Sequence, residues 1–297
     1  MIDQLRLRNG VIFHVAQTIQ VFFVMLLPGV AEPVRADPGA GGQSFEQFKN
    51  ERDKEYEAYN RKKKREYREY REKVKEAFND YKAQAARVWG DDNAVMPDKH
   101  RWVEYQNEMT ERRVVDFEQG KGEISLAVDA EDINWSQTRE ELKNALAETL
   151  IQAPDARSVT EIADNPDDKK REGEPLLKNQ VKNADGDKVD RDSARQFAER
   201  RVKRADLQKA KVKGEDGKQR VAVTVSFELL PNHLQKRARR YEDLVLERAQ
   251  SRNIKPQLVF ALIETESSYN PKARSPIPAF GLMQLVPGTG ARDAYRF

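Results

Sequence analysis

Aromatic residues recur every eleven positions between Phe45 and Tyr81, with Phe45, Tyr56, Tyr67 and Phe78 in one series and Phe48, Tyr59, Tyr70 and Tyr81 in a second. Arg52, Lys63 and Val74 take the third equivalent place. Three turns of α-helix use about 10.8 residues, so an eleven-residue period keeps one narrow stripe in line along a nearly straight helix. The stripe must lie on something. We favour the domain that follows, over a stalk or a surface for an envelope protein partner along 45–81. The basic run Arg61–Arg65 is offset by Glu55, Glu57, Glu66, Glu69 and Glu72 at helical spacings, which makes it a solvated face.

The chain of 297 residues has room for more than one domain. Its 53 basic and 50 acidic residues leave a formal charge of +3, no field for nucleic acid. There is no cysteine, and His14, His100 and His233 are scattered, so no metal and no cofactor are expected. Arg6 and Arg8 precede a largely apolar stretch, Val11 to Leu27, with small or tolerated residues at Val34-Arg35-Ala36. Residues 1–36 are therefore expected to be a secretory signal peptide or anchor, which places the protein in the periplasm or on the cell envelope. Without cysteine no lipoprotein acyl chain is expected.

Residues 37–90 are read as a Gly/Pro-rich linker and the long charged helix, and 91–235 as a small α+β domain. A hairpin is expected from Arg113–Glu118 and Glu123–Val128 around the turn Gln119–Gly122. Thr138–Gln152 is predicted as an amphipathic helix, Ser193–Ala210 as a second helix and Arg220–Leu229 as a strand. Asp164–Glu174 is expected to be mobile. Asp185-Gly186-Asp187 is read as a turn, because Lys188 stands where a calcium loop needs glycine and no glutamate closes the loop.

Chemistry concentrates in the last segment, 236–297. Arg237–Arg248 is predicted as one helix, and another starts at Pro256, runs to about Ser268 and stops at Asn270-Pro271. On a wheel of about 100° per residue centred on Glu266, Val259 falls near about 20°, Ile263 near about 60°, Leu262 near about −40° and Leu258 near about −80°. Glu266 thus sits amid an apolar stripe, and Glu264 points to the other side. An apolar setting disfavours the carboxylate anion and suits the acid to protonating a leaving oxygen. A glutamate bonded to a lysine, arginine or loop amide fits the wheel equally.

Ser267-Ser268, Asn270-Pro271, Ser275-Pro276 and Gly281-Leu282-Met283-Gln284 follow Glu266 at a spacing that resembles the soluble lytic transglycosylase family. The resemblance covers about 60 residues, and weaker features ahead of it are similar to the N-terminal region of the membrane-bound lytic murein transglycosylase C family. Those are the strand pair around Asp116-Phe117-Glu118 and the segment Leu230–Leu234 leading into Lys236-Arg237-Ala238. The resemblance implies an all-α, lysozyme-like catalytic domain acting on peptidoglycan glycan strands. The bond cleaved is the β-1,4 bond between N-acetylmuramic acid and N-acetylglucosamine, with release of a 1,6-anhydro sugar. Glu266 matches the single catalytic acid and base. Of the residues expected at the glycan, Ser275 and Gln284 touch sugar or orient Glu266 and Gly281 brings the backbone close. Leu282 and Met283 pack behind the groove.

The expected fold class is thus an α+β N-terminal domain with a long charged helix, followed by a lysozyme-like domain that is incomplete. About 60 residues rarely form a self-sufficient core without staples, so little or no turnover is expected of these 297 residues. A muramidase that hydrolyses the same bond, or a non-catalytic envelope protein that binds glycan or partners, are the alternatives.

Overall fold

The computed structural model describes residues 45–203, 207–275 and 279–286. The signal or anchor expected at 1–36 and the linker after it lie outside these residues. Among the described residues no helix is long and apolar enough to cross a membrane. The chain falls into two units, the first ending at Lys63 and the second starting at Lys64.

Helix α1, Phe45–Trp89, is the helix the aromatic period requires, and it spans both units. In the first unit Phe45, Phe48, Tyr56 and Tyr59 are exposed. The ion pairs there, Arg52–Glu55 at 3.3 Å and Arg61–Glu57 at 3.1 Å, are open to solvent and add only a few tenths of a kcal/mol each, about 0.3–0.5. In the second unit the same stripe is buried through Val74, Ala77, Tyr81 and Ala85, and Trp89 joins it. The expected packing on the following domain therefore holds for the later half of the stripe, within the second unit.

That domain is a five-stranded antiparallel sheet in the order β1-β2-β3-β5-β4. Its strands are β1 Arg101–Gln106, β2 Glu111–Asp116, β3 Lys121–Asp129, β4 Gln208–Lys213 and β5 Gln219–Glu228. Alternation sends Trp102, Val115, Ile124, Leu126, Val223, Val225 and Phe227 to one face, onto α2 (Trp135–Ile151) and α4 (Ala194–Arg201). Leu142, Leu146, Leu150 and Phe197 answer from those helices. Val103, Tyr105, Val114, Ala127, Val212 and Ala222 face the other way, onto Tyr81, Ala85 and Trp89 of α1. The sheet is buried on both sides, the indole of Trp89 donating to the Met109 carbonyl at 2.6 Å and the Tyr81 hydroxyl accepting from Tyr105 N. Burial pushes the Tyr81 phenol well above its ordinary value.

The C-terminal carbonyls of α1 are capped by the β4–β5 turn, since a helix end leaves its last C=O groups without partners. Glu215 N donates to Ala86 O, Asp216 N to Arg87 O and Arg220 Nη1 to Val88 O. The backbones approach so closely that a Cβ on Gly214 would lie 2.3 Å from Arg87 O, and one on Gly90 would lie 2.5 Å from Lys213 O. Gly90 also needs its φ of 78° to leave the helix.

Several expectations change. The Ser193–Ala210 helix ends at Arg201, and Gln208–Lys213 is instead the edge strand β4, whose alternating lysines guard an open edge. The hairpin turn is 117–120, two residues earlier than expected, and Gly122 lies inside β3 beneath the ring of Phe227. Asp164–Glu174 is pinned rather than loose: Arg171 reaches the buried Glu104 with contacts of 2.7 and 2.6 Å, and Asp155 bridges Arg171. Helix α3, Val159–Asp164, leads into this stretch and opens on a Ser158–Glu161 capping box. The single Arg237–Arg248 helix is two, α5 His233–Arg239 and α6 Glu242–Ser251, because Arg240 turns back to the carbonyls of Pro175, Leu176 and Lys178. The last helix, α7, runs Pro256–Ser267 as predicted, with proline in its first turn.

Candidate active site

Helix α7 packs on α6 through Ile263 and the half-buried Val259 and Phe260, against Val245 and Tyr241. The stripe expected around Glu266 is only half covered: Leu258 is 64% and Leu262 43% exposed. Glu266 therefore lies on the border between packed and open sides of the helix and is half-buried, while Glu264 is exposed. Among the described residues no side-chain hydrogen bond or ion pair engages the Glu266 carboxylate.

The helix ends immediately beyond it. Ser268 and Tyr269 have φ of 48° and 57°. Two successive non-glycine residues in the left-handed region cost about 1–2 kcal/mol each, so their surroundings must hold them. Ser268 N donates to Glu264 O at 2.8 Å and Asn270 N to Ser267 O at 2.9 Å. The Tyr269 hydroxyl donates to Phe260 O at 3.0 Å, and burial, followed by the Glu264 carboxylate, pushes this phenol up to about 12. Helix α5 and the loop before β1 supply the rest. Arg237 donates to the carbonyls of Ser268 and Tyr269 at 3.1 and 2.8 Å, and His100 Nδ1 lies 2.9 Å from Ser268 Oγ.

Ser267, fully buried, donates its hydroxyl to Ile263 O at 3.0 Å and Leu282 O at 2.8 Å. That second contact ties the turn Gly281-Leu282-Met283-Gln284 to the helix one residue past Glu266. Gly281 has φ 72°, and a Cβ there would meet only Pro271 O at 3.9 Å, so the position needs glycine for its backbone angle rather than for space. Gln284 folds back, its N and Nε2 donating to Gly281 O at 3.2 and 3.1 Å. Leu282 and Met283 pack against the cluster of Val245, Ile263 and Tyr269, the buried side of the turn. Ser275 stands at the base of the same loop, its N donating to Ala279 O at 3.2 Å. Nearby, burial and then the charge of Arg274 pull the Lys272 ammonium down to about 8. No group of three or more His, Asp or Glu that could hold a metal ion occurs among the described residues.

Arg237 and His100 were not singled out as site residues by sequence. Arg237 is one of several arginines in Lys236–Arg240, and His100 lies 168 positions from Ser268, so neither carries a local signal.

A carboxylate-bearing helix locked to a Gly-Leu-Met-Gln turn is matched over residues 243–297 by the family model for the Transglycosylase SLT domain. The chain belongs to the membrane-bound lytic murein transglycosylase C family, whose N-terminal domain model matches residues 63–240, more than half of the chain. The chain is 29% identical over 210 residues to membrane-bound lytic murein transglycosylase C of Klebsiella pneumoniae subsp. pneumoniae and of Salmonella typhimurium. It is 28% identical over the same length to that of Klebsiella pneumoniae strain 342. Each match covers 70% of this chain and 55% of the relative, so the chain spans about half the length of the curated relatives it matches.

Proposed function

We propose that this protein is a peptidoglycan lytic transglycosylase of the cell envelope, with Glu266 as its sole general acid and base. The observation that carries the reading is the half-buried Glu266 carboxylate, without a protein partner among the described residues, directly before the left-handed cap at Ser268-Tyr269 and the Ser267–Leu282 contact that ties the helix to the 281–284 turn. A carboxyl held at the edge of an apolar helix face and aimed at no protein group is available to substrate. In the reaction Glu266 donates its proton to the glycosidic oxygen as the C1–O bond breaks. It then accepts the proton of the C6 hydroxyl as that oxygen attacks C1, which closes the 1,6-anhydro ring and restores the acid. One carboxyl serves both steps, so Glu264, on the other side of α7, is not needed as a nucleophile. Ser275 and Gln284 are assigned to the sugar or to orienting Glu266, Gly281 to shaping the groove and Met283 to its floor. No cofactor enters.

The test is digestion of peptidoglycan sacculi followed by mass spectrometry of the released fragments. Fragments ending in 1,6-anhydro-N-acetylmuramic acid support the reading, and free reducing ends instead would make the protein a hydrolysing muramidase. A second reading, a binding protein acting through α1, draws on the exposure of Phe45 and Phe48. Sedimentation with sacculi that survives Glu266→Gln and is lost in Phe45→Ala/Phe48→Ala would favour it.

A further inference from the structure

We propose that Arg237 and His100 are positioning residues for Glu266, so that helix α5 and the loop before β1 set the end of the helix carrying the acid/base. The role of Glu266 rests on the function proposed above; the grip itself does not.

Arg237 is 1% exposed, and its guanidinium carbon lies 3.5 Å from the centre of the Phe117 ring. Buried charges are usually paired with an opposite charge, yet among the described residues no carboxylate pairs with Arg237. Its compensation comes from two successive carbonyls at the end of α7, from the Gln180 Oε1 at 3.2 Å and from the aromatic face. The helix C-terminus presents partial negative charge, which favours a cation there. Gln180 is itself fully buried, donating its amide to Leu176 O and accepting Leu230 N at its carbonyl, so it is a fixed anchor. A planar, forked guanidinium can span Ser268 O, Tyr269 O and Gln180 at once, and an ammonium cannot.

The loop before β1 closes on the same place from the other side. Arg274 N donates to Asp98 O at 3.4 Å, Lys99 Nζ to Thr265 O at 3.4 Å, and His100 contacts Ser268 Oγ. Residues 98–100 thus bracket Glu266 at positions 265 and 268. Neither Arg237 nor His100 hydrogen-bonds Glu266; Arg237 acts on it through the cap carbonyls of Ser268 and Tyr269 and His100 through the Ser268 hydroxyl. The region that the N-terminal domain model matches, residues 63–240, is in this way part of the catalytic apparatus.

The experiment uses the full chain with Arg237→Lys, Arg237→Gln and His100→Ala, read by amide hydrogen exchange and by kcat and KM on solubilised glycan strands. Exchange over residues 264–270 is expected to rise about 10-fold in each variant while β3 and β5 keep their protection. kcat per folded molecule is expected to fall about 10- to 100-fold with KM within about twofold, because small misplacement of a catalytic group is enough. Arg237→Lys should recover part of the loss in Arg237→Gln. A merely structural role would lower the folded fraction and leave kcat per folded molecule unchanged. Folded variants with wild-type exchange over 264–270 would overturn the proposal, and if the Arg237 variants do not fold, His100→Ala decides by the same criteria. Absence of any Glu266-dependent turnover in the wild type would count against the proposed function, while the exchange data would still decide the grip.

Discussion

Replacing Asp216 by asparagine should loosen the junction between α1 and the sheet in a way that depends on pH. Asp216 takes two contacts from Arg220, of 2.9 and 2.5 Å, and one from Lys218 N, and Arg220 in turn caps Val88 O. The hydrogen bond from Arg220 holds the carboxyl down to about 2, against an ordinary 3.8. Such a displacement corresponds to at most about 2.4 kcal/mol at neutral pH. Asp216 is open to water, so screening reduces the expected loss to about 1 kcal/mol. The folded value lies below the unfolded one, so this stability is present above about pH 4 and is lost as the pH falls through about 2. Urea unfolding of wild type and Asp216→Asn at pH 7 and pH 3 measures it, and the difference at pH 3 should be about half that at pH 7. Equal stabilities at pH 7, or a difference that does not shrink at pH 3, would refute the reasoning.

Gly122→Ala should destabilise the sheet domain by about 1–3 kcal/mol in the same assay, because the new Cβ would fall 2.0 Å from Phe227 Cζ in a ring that is 1% exposed. Arg113→Met should cost about 3–5 kcal/mol, since it strands the buried Glu111 that Arg113 holds at 2.5 Å and breaks its 2.8 Å contact to Glu148; thermal unfolding will show it, and a loss under about 1 kcal/mol would mean the network contributes little.

What could be read ahead follows from how local each signal is. The α1 repeat, the β3 alternation, the valines of β5 and the proline-started α7 each carry their own period, and all four elements are present. Strand β1 escaped because Trp102, Val103, Glu104 and Tyr105 are all buried: a sheet covered on both faces shows no polar alternation, and Glu104 is inside because Arg171 and Gln106 meet its carboxylate. Strand β4, Gln-Lys-Ala-Lys-Val-Lys, is made of residues at home in a helix and is a strand because β5 offers it an edge. At the site, Glu266 and the 281–284 turn were visible as a motif. Their support was not, because Arg237, His100 and Gln180 converge from distant parts of the chain. The exposure of Leu258 and Leu262 was equally hidden, since a wheel gives direction and not what lies there.

The central claim is that Glu266 alone moves the proton. The direct measurement is the rate at which wild type and Glu266→Gln release anhydromuropeptides from sacculi, with folding of both checked by circular dichroism. Release by the wild type is expected, slow if the length of the catalytic segment limits turnover as the sequence suggests, with a loss of at least about 100-fold in the variant, the scale of a missing general acid. Undiminished release from folded Glu266→Gln would contradict it.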